Sequence, residues 1–329
     1  MKAITEQQLR TMFLRQRQGL PLHLKIKMSI RRIINWYEHF DGKVYVSLGG
    51  KDSHALLHLV RSIYPDVEAV FVDTGLEYPE VKELNTRTQN VTTLKPDMQF
   101  KKVIEKYGWP VISKKMAQYI SEIQNPTDRN KNTVMLRTTG YRTDGTHSPM
   151  SKISDKWLYL KDAPFKVSHK CCKVMKVNPL RKFAAQRGLS PIIGTTSDES
   201  GAREHNWIRY GCNSYSNNFP VSTPIIFWTE QDVLQYIKLN NIEVAGCYGE
   251  LQEANGGGLR FTGCQRTGCM FCLFGVHLEK GQNRFQMMQQ THPQYWEYCM
   301  FNLGAAEVMD YIKVSYRSDE DSDGQRNLF

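Results

Sequence analysis

The chain has 329 residues, 40% of them hydrophobic and 23% charged, a composition that supports one large or two modest packed cores and excludes disorder over most of its length. Its formal net charge of +10 favours polyanions such as nucleotides, nucleic acid or acidic proteins, the plainer alternative being a solvated basic surface. No run of about 18 apolar residues occurs, which argues against a membrane span, and the polar start MKAITEQQLRTMFLRQRQ lacks the apolar centre of a secretory signal, so a cytoplasmic protein is expected.

Residues 5–18 carry helical spacing, Gly19-Leu20-Pro21 interrupts it, and residues 22–39 resume it through Met28, Ile33, Ile34, Trp36 and Tyr37. Together they form a helical lead-in over residues 1–40. The pattern then changes. Val44–Val46 reads as a strand, Ser53–Tyr64 as a helix and Val67–Val72 as a second, buried strand. Pro79–Asn90 fits a helix with proline in its first turn. Val91–Leu94 reads as a third strand and Lys101–Tyr107 as another helix. Residues 125–150 are polar and are expected to form a mobile loop over the site. A helix near Cys172–Gln186 and a strand near Pro191–Gly194 follow. Thr229 and Asp232 then make a capping pair for a helix reaching Asn240. Strands alternating with helices predict an α/β fold, a Rossmann-like parallel sheet flanked by helices, over residues 41–243. Residues 244–329 are rich in Gly and Cys and read as a separate Cys-rich C-terminal module. Gly256-Gly257-Gly258 marks a flexible connection in it, and Ser318–Asp323 an acidic tail.

Ser47-Leu48-Gly49-Gly50-Lys51-Asp52-Ser53 sits between a strand and a helix, where phosphate loops belong. Glycines let the backbone approach an anion, and a helix start offers unpaired N–H groups and a favourable dipole. The spacing is not that of the Walker loop GxxxxGK[ST]. Asp73 ends a strand on the same side of the expected sheet, followed by Thr74 and Gly75. Gly194 and Thr195 end another strand, and Arg203 beyond them suits a phosphate or sulfate.

The 8 cysteines are too few for a disulfide scaffold in a chain this long. Cys171 and Cys172 are adjacent, while Cys264, Cys269 and Cys272 crowd one segment, a clustering that points to metal. Four thiolates suit zinc or an iron–sulfur cluster. Neighbouring side chains diverge, which favours the wider-spaced corners of a cluster. A redox pair and plain reduced thiols are the alternatives. Lys170, Lys173 and Arg266 are candidates to offset cluster charge. Cys212, Cys247 and Cys299 stand alone and are expected to be buried small hydrophobes. His277 reads as structural.

The loop resembles the SGGxDS pyrophosphate loop of the PP-loop ATP pyrophosphatases (the adenine nucleotide alpha hydrolase-like superfamily) and of the phosphoadenosine phosphosulfate (PAPS) reductase family. The match is Gly49, Gly50, Lys51, Asp52 and Ser53, with Leu48 standing where the motif has its first serine. Phe71–Glu80 and Gly194–Arg203 are similar to the family's second and third segments, in the same order. The resemblance implies catalytic roles for Lys51, Asp52 and Arg203. It implies nucleotide binding by Ser47, Gly49, Gly50, Lys51, Asp52, Ser53, Asp73, Thr74, Gly75, Gly194, Thr195 and Arg203. The nucleotide is ATP, or APS or PAPS, with Mg²⁺ near Asp52 or Asp73. The cysteine pattern resembles the iron–sulfur members, in which a tandem pair and a CxxC hold one [4Fe–4S] cluster. That implies Cys171, Cys172, Cys269 and Cys272 as ligands, with Cys264 as the alternative. Arg266–His277 is similar to a branch common in phage and prophage genomes.

Three functions follow from the resemblance. The first is an adenylating sulfurtransferase with an iron–sulfur cluster. Related members act in DNA phosphorothioation and tRNA thiolation, which implies a DNA or tRNA substrate and a sulfur donor such as a cysteine desulfurase. The second is a sulfonucleotide reductase releasing sulfite from APS or PAPS. The family's nucleophilic cysteine, in an ECG[LI]H-like segment, has no counterpart after Cys299, so Cys299 or an external thiol would have to replace it. The third is a non-catalytic nucleotide-sensing or nucleic-acid-binding regulator, to which Leu48 lends support.

Overall fold

The computed structural model describes residues 5–215, 219–254 and 256–318, so the expected acidic tail lies outside the described residues from position 319 on. Contacts divide the chain into two compact units. The first comprises the residues up to Asp73, Glu77–Lys95 and Asn178–Gly268; the second comprises Thr74–Leu76, Pro96–Val177 and the residues from Cys269 on. Three consecutive segments are what the sequence suggests. The two units instead interleave along the chain, and the helical lead-in and residues 244–268 pack with the first.

The first unit opens with two helices, α1 (Glu6–Gln18) and α2 (Leu22–His39). Thr5 caps α1 reciprocally with Gln8, and Gly19 ends it. Strand β1 (Val44–Leu48), helix α3 (Lys51–Arg61), strand β2 (Ala69–Val72), helix α4 (Pro79–Arg87) and strand β3 (Val91–Leu94) then alternate, as the periodicity predicts. In the second unit lie α5 (Phe100–Tyr107), α6 (Lys114–Gln124) and α7 (Lys131–Thr139). The chain returns to the first unit with α8 (Asn178–Arg187), β4 (Ser190–Ile193), α9 (Gly201–Tyr210), the short strands β5 (Asn213–Ser214) and β6 (Val221–Ser222), and α10 (Glu230–Asn240). A two-stranded ribbon of β7 (Leu251–Glu253) and β8 (Leu259–Phe261) completes it.

The main sheet runs β3-β2-β1-β4-β6-β5 and is parallel except for β5, which pairs antiparallel with β6. Both faces are covered, as a parallel sheet requires. Alternation along β1 sends Val44, Val46 and Leu48 into a core shared with α2, α3 and α10. Tyr45 points the other way and packs with Val70 and Phe183 of α8. The strand order reverses between β1 and β4, so the turns after these strands meet at the carboxyl edge where ligands gather in such sheets. A buried ion pair ties the lead-in to α10: Lys25 Nζ lies 2.6 Å from an Asp232 carboxylate oxygen and 2.6 Å from the Gln18 carbonyl. Asp232 completes the expected reciprocal cap with Thr229.

The second unit is largely helical. Residues 125–150, expected as a mobile loop, include α7. That helix is held by tertiary contacts that no local pattern announces. Arg137 pairs with Glu122 of α6 at 2.7 Å and lies 3.8 Å from the Tyr119 ring centre. The helix near Cys172–Gln186 starts with a wide π turn over Lys173–Val177 before α8. Helices α11 (Arg284–Thr291), α12 (Pro293–Glu297) and α13 (Ala305–Tyr311) form the rest. Among the described residues no helix is long and apolar enough to cross a membrane.

Candidate functional site

The loop after β1 is a cradle that only glycine fits. Gly50 caps α3 with extended backbone, and a Cβ there would lie 2.5 Å from both Thr267 Oγ1 and the Tyr248 hydroxyl. A Cβ on Gly194, at the end of β4, would lie 2.8 Å from the Asp52 carbonyl oxygen and from Ser53 Cα. Any larger residue at either place must displace the loop. Ser53 closes the turn from inside, its hydroxyl accepting from Gly49 N–H at 2.8 Å and donating to Gly50 O at 2.6 Å. The N–H groups of Ser53 and His54 fold back onto Gly50 O. Those of Gly50 and Asp52 make no hydrogen bond among the described residues. Two orphan amides at a helix start are the elements of an anion site.

The loop is held from outside by residues the motif does not announce. Asn85, fully buried on α4, donates to Gly49 O at 3.0 Å and to Val81 O at 2.8 Å, and its amide oxygen meets His54 Nε2 at 2.9 Å. Lys51 N–H donates to the Tyr248 hydroxyl at 3.0 Å, and Lys51 Nζ donates to the Gln265 carbonyl at 2.9 Å and lies 3.4 Å from Glu230. Lys51 is therefore buried and spent on the loop's own scaffold. The motif could have pointed to Lys51 but not to Asn85, Tyr248, Gln265, Thr267 or Glu230, which come from four other segments.

Burial raises the Asp52 pKa above the usual carboxylate value; Lys51 lowers it, Glu230 raises it, and Arg203 and Arg266 lower it. Arg203 and Arg266 thus lie in the electrostatic reach of the loop, and burial lowers the Arg203 pKa. Arg266, expected beside a cluster, belongs to this unit. Arg203 pairs with Glu199 at the start of α9. Asp73 ends β2 and pairs with Lys82 at 2.9 Å. Ser47 lies half-buried in β1 between Val70 and Ile193, Leu48 is in the core, and Thr195 is half-buried after β4. Thr74 and Gly75 belong with the second unit; the Thr74 hydroxyl accepts from Leu76 N–H at 3.2 Å, and Gly75 adopts φ +73°.

The second unit brings Cys171, Cys172, Cys269 and Cys272 into one electrostatic neighbourhood. Burial pushes the Cys171 thiol well up, the thiols of Cys172, Cys269 and Cys272 push it further, and Lys176 opposes them. Burial also raises Cys272, against Arg284 and Lys114. Local turns aim the groups: Cys272 N–H donates to Cys269 O at 3.1 Å, and Arg284 holds the Cys272 carbonyl at 3.3 Å. Among the described residues no three His, Cys, Asp or Glu side chains close around a single metal ion. Burial raises Cys171 and Cys272, so positive charge would be needed to hold them as thiolates, and a polynuclear iron centre would supply it and reach wider-spaced sulfurs than one ion does.

The other thiols divide. Cys299 is fully buried, as expected, and burial pushes it far up. Cys212 is buried and accepts from Trp207 Nε1 at 3.4 Å. Cys247, expected to be buried and alone, is half-buried and hydrogen-bonded to Cys264, because the turn carrying it runs beside the segment after β8. Cys264, the alternative cluster ligand, sits in the first unit with Cys247 and the Tyr78 hydroxyl as its partners. His277 rests edge-on against Trp157, ring centres 5.1 Å apart.

The family model for the phosphoadenosine phosphosulfate reductase domain matches residues 43–152 and 106–273. An uncharacterized protein of Methanocaldococcus jannaschii is 23% identical over 275 residues, covering 82% of this chain, which spans about half (50%) of that relative's length. The adenosine 5'-phosphosulfate reductase 2 of Bacillus subtilis is 23% identical over 219 residues, 64% of this chain and 69% of the relative. Among solved structures, the PAPS reductase of Candida auris in complex with phosphate aligns over 68% of this chain and 87% of its own, at 14% identity and a TM-score of 0.38.

Proposed function

This chain belongs to the phosphoadenosine phosphosulfate reductase domain family, and on that footing we propose that it is an adenylating sulfurtransferase whose loop at Ser47–Ser53 takes the pyrophosphate of ATP. The carrying observation is the pair of unpartnered amides, Gly50 and Asp52, at the start of α3. In this reading a substrate oxygen attacks the α-phosphorus of ATP and pyrophosphate leaves. The terminal sulfur of a persulfide on a donor such as a cysteine desulfurase then displaces AMP with the activated oxygen, and a thiol reductant cleaves the resulting S–S bond to leave the sulfur on the substrate. The loop amides hold the leaving pyrophosphate, and Arg203 and Arg266 offset the charge that builds on it. Asp52, and Asp73 if Lys82 releases it, supply the one or two carboxylates that Mg²⁺ takes beside phosphate oxygens.

Cys171, Cys172, Cys269 and Cys272 would hold a [4Fe–4S] cluster. Held by these four thiolates, such a cluster would supply electron-transfer or electrostatic chemistry. The absence of a disulfide among the described residues suits a reducing compartment such as the cytoplasm.

A cleft in the first unit supports a nucleic-acid substrate. Arg17 and Arg32 line it with the exposed Tyr210 and Tyr215 and the buried Trp207, and Arg10, also in the lining, is paired with Glu6. The Arg17 guanidinium lies 5.1 Å from the Trp207 ring centre. Cations interleaved with aromatic faces are how proteins track single strands, each stacked base contributing about 1–3 kcal/mol.

A second reading, reduction of APS or PAPS, is favoured by the activity named for the Bacillus subtilis relative. Calorimetric titration of anaerobic protein separates the two. Tight MgATP and weak PAPS binding supports adenylation, and the reverse order replaces it with the reductase. Strand binding is checked by anisotropy of a labelled single-stranded oligonucleotide at two salt concentrations. Affinity that ignores salt and Arg17→Ala removes the cleft from the reading.

A further inference from the structure

The thiols of Cys247 and Cys264 are a second sulfur constellation: they belong to the first unit, whereas the tandem pair and the CxxC belong to the second. The turn Gly246–Tyr248 and the segment after β8 run side by side. Cys264 N–H donates to Cys247 O at 2.9 Å, and Gly263 N–H donates to Tyr248 O at 2.8 Å. Two glycines allow this approach: a Cβ on Gly263 would lie 2.5 Å from the Cys247 carbonyl oxygen, and one on Gly249 2.3 Å from Thr262 Oγ1. That backbone pairing sets the two thiols side by side, and Cys247 and then the Tyr78 hydroxyl, acting as donors, lower the Cys264 pKa. Both donors favour a thiolate at Cys264, and the Glu80 carboxylate opposes it. Cys247 is correspondingly held as the thiol. Both residues are half-buried, unlike Cys299.

The pair also borders the phosphate loop. Tyr248, next to Cys247, accepts from Lys51 N–H, and Gln265, next to Cys264, accepts from Lys51 Nζ. Each cysteine is thus one residue from a group that holds Lys51.

We propose that Cys264 and Cys247 form a dithiol site beside the loop that reacts with electrophilic sulfur, a disulfide or persulfide, with Cys264 as nucleophile and Cys247 as resolving thiol. With a disulfide RSSR, Cys264 S⁻ attacks one sulfur, the S–S bond breaks, and RS⁻ leaves with Cys264–S–SR formed. Cys247 then loses its proton and attacks Cys264 Sγ, releasing the second RS⁻ and closing a Cys247–Cys264 disulfide. The two cysteines give up two electrons, and RSSR takes them. An external dithiol restores the pair. The polarisation of the pair sets the order, since the thiolate attacks and the neutral partner follows. This inference stands on the thiols alone and requires neither nucleotide turnover nor a cluster.

The test is limited treatment of anaerobically purified full-length protein with 5,5'-dithiobis(2-nitrobenzoate), followed by peptide mapping of every cysteine. The wild type is expected to yield a linked Cys247–Cys264 peptide without a lasting adduct on either. Cys247→Ser keeps a hydroxyl donor to Cys264 and is expected to trap the mixed disulfide on Cys264. In Cys264→Ser, Cys247 is expected to react about tenfold more slowly than Cys264 does in Cys247→Ser. A stable wild-type adduct with no linked peptide, or Cys247 reacting ahead of Cys264, overturns the assignment. The wild-type mapping decides even if a variant fails to fold. Because no nucleotide is present, failure of the ATP reading leaves the result untouched.

Discussion

Replacing Tyr248 with Phe removes one oxygen and keeps the ring in place. That oxygen accepts from Lys51 N–H at 3.0 Å and meets Thr267 Oγ1 at 2.6 Å. Tyr248 is 2% exposed, so water cannot take over, and the Lys51 N–H is left buried without an acceptor. An orphaned buried donor costs about 1–3 kcal/mol, a factor of roughly 5–150 in the folding constant. Thr267 is half-buried and suffers less, since its hydroxyl can rotate toward solvent. Thr267→Val is therefore the control: it spares the Lys51 contact and should cost a fraction of the Tyr248→Phe loss. The assay is urea unfolding followed by tryptophan fluorescence, where a shifted midpoint at constant slope reports stability alone. The loop loses an anchor next to Gly50, so MgATP affinity should weaken along with it. A Tyr248→Phe midpoint indistinguishable from wild type, with the same MgATP affinity, would refute the claim that this hydroxyl holds the loop.

Three further outcomes are expected. Burial raises the Asp52 pKa in the folded protein, so the wild type loses stability as pH rises from the unfolded carboxylate value of about 3.9 through the folded one. Asp52→Asn lacks that loss, so its stability advantage should be absent at the acid end of urea titrations and grow to a plateau above it; a pH-independent difference contradicts the raised pKa. Lys25→Met leaves the Asp232 carboxylate buried with its cap but without its cation, which should cost about 3–5 kcal/mol, and a loss under about 1 kcal/mol in the same unfolding assay would mean the pair behaves as an exposed one. Cys272→Ser should bleach the brown colour of anaerobically purified protein, and colourless wild type carrying stoichiometric zinc removes iron from the proposal.

The fold was legible where elements make their own case. β1 and β2 are short apolar runs and β3 a short β-branched one, set between helical periods, and alternation of that kind leaves a parallel sheet as the economical packing. Thr229 and Asp232 announce α10 because a cap is local chemistry. The division into units was not legible, because it depends on which separated stretches pack together. Residues 74–76 and 269 onward belong to one unit through contacts such as Met270 N–H to Leu76 O at 2.7 Å. α7 is not legible for a similar reason: its apolar residues Val134, Met135 and Leu136 are consecutive rather than helically spaced, and Glu122 and Tyr119 fix it from another helix.

The site divides along the same line. What an anion asks of the backbone is local, so Gly49, Gly50 and Ser53 can be read from seven consecutive residues. What holds that backbone still is not local. The acceptor for Lys51 N–H lies 197 residues away and that for Lys51 Nζ 214 away, and neither Tyr248 nor Gln265 carries any periodic or motif signal of its own. The pairing of Cys247 is not legible in the sequence, because an isolated cysteine is ordinarily a small buried hydrophobe. Its meaning depends on Cys264 arriving beside it, and two glycines with no room for a Cβ, Gly249 and Gly263, decide that approach. Substituting alanine at Gly263 therefore has a consequence that a purely structural glycine would not. The Cβ must push the Cys247 carbonyl away, which separates the two thiols. The variant should lose the linked Cys247–Cys264 peptide while Cys264 still forms its mixed disulfide. If the linked peptide forms in Gly263→Ala as readily as in wild type, the close approach of the two backbones is not what pairs the thiols.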